Sequence, residues 1–222
     1  MLSRIPAQRL NGMSTWTSRS SRVALCSVGL VLACLAAAPV AFAADDPGVR
    51  VVPPRGFCIS EGNVQQGLVL IGTCAAVQGG TDFGRAEPPA ILTATVGPPG
   101  SAMPIEGQAK VLTGFFTSTA GRRALSRSGR ADTVEILEAV VLPDRRFGPA
   151  FALHARDTAP FPGGRASADY WRALFPVGSQ MVTLTVTGLV ADPMDRDAGL
   201  ALLREFVAAI YRANRQAVTL RQ

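Results

Sequence analysis

Aliphatic and polar positions alternate without a break over residues 182–187, where Val182, Leu184 and Val186 interleave with Thr183, Thr185 and Thr187. A period of two puts the aliphatic side chains on one face of a strand and the threonines on the other. Just before it, Trp171, Ala173 and Phe175 alternate with Tyr170, Arg172 and Leu174, and Pro176 and Gly178 punctuate the two runs as a turn would. Together they predict an antiparallel hairpin. After Asp192 and Pro193 the period changes: Leu200, Leu203, Phe206, Val207 and Ile210 recur at three- and four-residue steps, the stripe of an amphipathic helix. Asp195 can accept a bond from a free first-turn amide, Asp197 adds negative charge there, and Arg212 and Arg215 suit the opposite end.

The remaining pattern extends this plan. Short strands are expected at 56–60 and 68–73, then at 91–96, where Leu92, Ala94 and Val96 alternate with Ile91, Thr93 and Thr95. The glycine- and proline-rich residues 78–89 read as loop. Pro104 suits a first helical turn, with Ala109, Leu112 and Phe116 on one stripe, and a shorter helical piece follows at 120–126. Residues 132–142 are β-branched with a slip in alternation near Leu137, which predicts a bulge or burial on both faces. Phe151, Leu153 and Ala155 alternate with Ala152, His154 and Arg156 as a further strand. Three strands, a helix, four strands and a helix, joined by short turns, predict an α+β fold. Its mainly antiparallel sheet of about six to seven strands is covered by two principal helices as an α/β sandwich.

Residues 1–43 stand outside that plan. Arg4, Arg9, Arg19 and Arg22 precede a small and apolar run from Val23 to Ala38, and Ala41-Phe42-Ala43 precedes two aspartates. This is the layout of a secretory signal peptide cleaved after Ala43. Retention as a membrane anchor, for which a run of about 16 residues is short, and lipid attachment at Cys34 are the alternatives. Residues 44–55 read as a mobile lead-in and 56–222 as a single α+β domain. Cleavage would leave 179 of the 222 residues and no integral membrane span. It would also remove four arginines and no acid, lowering the formal charge from +6 to +2. Nucleic-acid binding thereby loses its electrostatic basis. Cys58 and Cys74 would remain as the only cysteines, an even pair in an oxidising compartment, and a disulfide between them is expected.

Candidate chemistry is sparse. A structural zinc needs four ligands, and His154 is the chain's only histidine, so no metal or other cofactor is expected. By alternation His154 sits with Arg156, towards solvent or a second layer and away from a catalytic cluster. Asp192, Asp195 and Asp197 lack the spacing and the bidentate glutamate of a calcium loop, and capping accounts for them. No Gly-x-Ser-x-Gly elbow occurs. Phe161, Tyr170 and Trp171 could edge a ligand cleft, though core packing of Trp171 with Phe175 is the simpler reading. Arg122, Arg123, Arg127 and Arg130 form the densest basic cluster of the expected mature chain. They would suit an anionic partner such as lipid headgroups or an acidic protein surface, or would solvate a short helix and complement its C-terminal dipole.

In element order, with its closing two strands and helix over 170–210, the chain resembles the PsbP-like superfamily of extrinsic photosystem subunits and their bacterial relatives. The resemblance covers most of the domain and brings no site residue with it. The signal-like segment, Gly56-Phe57-Cys58-Ile59 and Leu125-Ser126-Arg127-Ser128-Gly129 look like exported alphaproteobacterial proteins, which implies a compartment. The reading that follows is a periplasmic accessory or interaction protein without catalytic activity, bound to an unknown envelope protein or small ligand. An enzyme with a dispersed site, or an envelope lipoprotein, is the alternative.

Overall fold

A computed structural model describes residues 48–60, 67–79, 88–143, 148–161 and 163–219, with side chains to residue 214. The expected signal segment, with Cys34 and residues 44–47 of the lead-in, lies outside the described residues, as does the side chain of Arg215. In chain order the elements are β1 (Phe57–Ile59), β2 (Leu68–Thr73), α1 (Cys74–Gln78), β3 (Ala90–Val96), α2 (Ala109–Thr117), α3 (Thr119–Leu125), a single 3-10 turn at Ala131–Thr133, β4 (Val134–Leu142), β5 (Ala150–Asp157), β6 (Ala166–Val177), β7 (Gln180–Leu189) and α4 (Arg196–Thr219). The seven strands form one antiparallel sheet in the order β1-β2-β3-β7-β6-β5-β4. The fold is therefore α+β. The slip near Leu137 is a bulge: the β4–β5 register shifts between Ile136 and Glu138.

One face of the sheet is the main core. Leu92 and Ala94 of β3, Val182, Leu184 and Val186 of β7, and Trp171, Ala173 and Phe175 of β6 all point to it, and α4 lays Leu203, Phe206 and Ile210 across them, each fully buried. Close approach here depends on Gly199, where an added Cβ would stand 2.8 Å from Trp171 Cδ1. Asp195 caps the helix by accepting from Ala198 N at 2.8 Å. The helix runs beyond Arg212, which is thus interior to it and does not complement its C-terminus.

The opposite face carries a second core. Leu112 and Phe116 of α2 and Leu125 of α3 rest on Phe151 and Leu153 of β5, and the Phe116 and Phe151 rings stack at 6.0 Å. Between α2 and α3 the chain turns so tightly that a Cβ on Gly121 would meet Phe116 Cα at 2.6 Å. Ser118 caps α3, accepting from Gly121 N. Pro104 lies ahead of α2, which starts after Gln108, and so takes no part in its first turn.

Residues 48–55 are packed where a mobile lead-in was expected. Val49 and Val51 sit against the main core, and the Arg50 backbone both donates to and accepts from the Asn214 side chain on α4. Cys58 and Cys74 are joined, their α-carbons 4.7 Å apart. The pairing is set by the ladder, because Phe57 stands opposite Thr73 and Gly56 O accepts from Cys74 N. The bridge therefore ties β1 to the start of α1, a helix that the sequence pattern does not predict. Among the described residues no helix is long and apolar enough to cross a membrane.

Candidate binding face

The four arginines of the basic cluster do different jobs. Arg127 is bound to Asp157, whose carboxylate accepts from Arg127 N at 2.7 Å, Arg127 Nε at 3.2 Å and Ala159 N at 3.0 Å. Asp157 is fully buried. Desolvation pushes its carboxyl up, but these bonds outweigh it and hold it below the usual carboxylate range. Arg130 forks onto Asp132 at the surface. Arg123 is exposed, and Arg122 Nε is buried with no hydrogen-bond partner. Within the cluster Arg127 and Arg130 are thus engaged by carboxylates.

His154 lies on the α4 side of the sheet, stacked on Trp171 with ring centroids 4.8 Å apart. Burial lowers its pKa, opposed by Asp169 and Glu138. Both of those carboxylates are held by arginine forks, Glu138 by Arg196 at 2.7 and 2.6 Å and Asp169 by Arg156 at 2.8 and 3.2 Å. Tyr170 and Trp171 are buried on opposite faces of β6, so they do not edge one cleft with Phe161. Phe161 instead lines a cavity of about 220 Å³ with Arg127 and Asp157, its ring 5.6 Å from the Arg127 guanidinium. Asp195 caps α4 and Asp197 lies in its first turn, whereas the Asp192 amide donates to Leu189 O at the end of β7; among the described residues no group of three or more His, Cys, Asp or Glu could hold a metal ion.

Among the described residues, helices cover only one half of the second face. Register fixes a row across the sheet: Leu70 opposite Thr93, Thr93 opposite Thr185, Thr185 opposite Arg172, Arg172 opposite Leu153. A parallel row runs through Leu68, Thr95, Thr183, Leu174 and Phe151. Helices α2 and α3 cover the Leu153 and Phe151 end of these rows. Thr93, Thr183 and Thr185 remain partly accessible and Thr95 exposed. At one end of this patch Val77 of α1 stands over Gly72. At the other, residues 97–102 cross the β6–β7 turn, with Ser101 Oγ accepting from Met181 N.

Arg172 stands where the covered and open halves meet. Its Nε donates to Thr185 Oγ1 at 3.1 Å, and its guanidinium carbon lies 5.4 Å from the Tyr170 ring centroid. Burial lowers its pKa, with Tyr170 and Asp157 opposing. The nearby carboxylate of Asp157 is committed to Arg127, so among the described residues a guanidinium with five donors has one side-chain acceptor. The signal in the sequence was available: an arginine at an inward-alternating position of a strand otherwise made of Tyr170 and Leu174. A scan of the chain against protein-family models found no match, and a search of the curated proteins found none either.

Proposed function

We propose that this chain is an exported, periplasmic accessory protein that works by binding, without catalysis, and that the open threonine half of its sheet receives a small ligand dense in hydroxyl and carbonyl groups. The observation that carries this is the grid formed by Thr93, Thr95, Thr183 and Thr185 on neighbouring strands. Each hydroxyl offers one donor and two acceptor positions. Strand spacing of about 4.8 Å sets them at intervals that match hydroxyls along a small polar molecule. The patch is bounded by α1 on one side and residues 97–102 on the other, which favours a small ligand over a broad protein surface. The disulfide supports the compartment, because such bonds persist where the environment is oxidising. The likeness in element order to the PsbP-like superfamily fits an accessory role.

The test uses the chain beginning at Ala44, titrated with sugars, hydroxy acids and amino acids while backbone amide resonances are followed. Saturable shifts are expected at Thr93, Thr95, Thr183 and Thr185. Thr93→Val with Thr183→Val should weaken binding tenfold or more with little change in unfolding midpoint. Shifts confined to the α4 side, or wild-type affinity in the double variant, would show the face is not the site. A stoichiometric envelope protein shielding these threonines would replace the small ligand with a protein partner.

A further inference from the structure

We propose that Arg172 is an oxyanion anchor: the ligand of this face carries a carboxylate or phosphate group that docks on the Arg172 guanidinium. This rests on the reading of the threonine half-sheet as a binding face and adds the charge its occupant must bear.

Three observations meet at this residue. Its position is imposed, since β6 is paired on both sides and the registers to Leu153 and Thr185 leave the side chain no choice of face. Its orientation is held, since Thr185 Oγ1 accepts a hydrogen bond from Arg172 Nε and the Tyr170 ring flanks the cation. The Tyr170 ring is in turn fixed by its hydroxyl donating to Leu125 O at 3.4 Å. Finally, its natural counter-ion is engaged elsewhere: Asp157 faces the same side from β5 but already accepts from Arg127 N, Arg127 Nε and Ala159 N.

A half-buried guanidinium with no ion-pair partner among the described residues is unfavourable in the free protein, because its desolvation is not offset by a full ion pair. That cost becomes affinity when an oxyanion arrives. With Nε committed to Thr185, the two terminal nitrogens remain, and a planar fork presents them as the bidentate partner of two oxygens on one carbon or phosphorus. The neighbouring hydroxyls of Thr93 and Thr183 then read the rest of the molecule. Lysine at this position would supply the charge but not the fork.

The experiment follows the Arg172 side-chain Nε–H resonance and the Thr185 amide in the chain beginning at Ala44, titrated with inorganic phosphate and separately with acetate, at constant ionic strength set with chloride. A saturable shift of both signals is expected with one or both probes, and whichever saturates at lower concentration identifies the group. Arg172→Gln should lose at least tenfold in apparent affinity and Arg172→Lys an intermediate amount. The anchor is overturned if neither probe shifts Arg172 saturably, or if Arg172→Gln binds as the wild type does. Should Arg172→Gln fail to fold, the wild-type titration and Arg172→Lys still decide. Anchor and face separate cleanly. Loss of hydroxylated ligands in Thr93→Val/Thr183→Val with an unresponsive Arg172 refutes the anchor and keeps the face. Saturable phosphate or acetate binding at Arg172 with no effect of the threonine variants on any ligand keeps the anchor and removes the face.

Discussion

Asp157 and His154 stand three positions apart on opposite faces of β5, and both make the protein weaker in acid, in different windows. For Asp157 the folded carboxyl titrates below its unfolded value of about 3.9. The unfolded chain therefore binds the proton first as pH falls, and the stability present above that value drains away below it. For His154 burial also lowers the folded pKa, so the unfolded imidazole takes its proton first, near pH 6.5, and stability begins to fall there. Denaturant midpoints measured from pH 8 to pH 3 should show two declines. His154→Gln should erase the upper one and Asp157→Asn the lower one; a single decline unaffected by either substitution would contradict the assignment. Asp157→Ala should cost about 3 kcal/mol, the low end for breaking a buried pair, because the Arg127 side chain keeps 22% exposure and can rehydrate.

At the scale of elements, α4 is the principal support of the sheet. Leu203 is fully buried among Trp171, Phe175 and the aliphatic row of β7, whereas Arg204, one position on, is exposed. Leu203→Ala should cost about 2 to 5 kcal/mol and Arg204→Ala no more than about 0.5 kcal/mol; equal chevron or equilibrium midpoints for the two would contradict the packing. That contrast was legible in the sequence, because Leu200, Leu203, Phe206, Val207 and Ile210 carry the 3.6-residue period and bury one stripe. The threonine face was legible too, since the alternation that buries Val182, Leu184 and Val186 leaves Thr183 and Thr185 nowhere else to go. Helix α1 was not, because Cys74–Gln78 is too short to show any period and starts on the Thr73 cap. Nor was the fate of the arginines: Arg127 finds its carboxylate 30 positions away, a contact made by tertiary packing alone. For the same reason no pattern along the chain could say that α2 and α3 cover only one half of the second face and leave Arg172 at the border.

For the molecule as a whole, the Cys58–Cys74 bridge closes a loop across the sheet's β1 edge. A loop of roughly 17 residues should stabilise by about 3 kcal/mol on the chain-entropy account, a large share of a domain's total. Reductant should lower the melting midpoint, and the double change Cys58→Ser with Cys74→Ser should reproduce the shift. Thiol titration of denatured, unreduced protein should find no free thiol at these positions; two per chain would refute the bridge. Because β1 carries only three paired residues, the loss should appear first as faster hydrogen exchange at Phe57 and Ile59, ahead of β7.

The register shift between Ile136 and Glu138 has a bearing on how copies of the protein behave towards each other. Strand β4 is the other open margin of the sheet, nine residues long, with Leu137 and Val141 more than a third exposed. A straight margin of that length and composition would template a strand from a second chain. The bulge interrupts its ladder near the middle and bends it, and the Glu138 charge held by Arg196 stands just beyond the interruption. Deleting Leu137 would restore an unbroken row of amides and carbonyls. The deletion variant should self-associate at concentrations where the native chain scatters no light, with dye-binding typical of stacked strands, and a monodisperse variant at the same concentration would show that the bulge protects nothing.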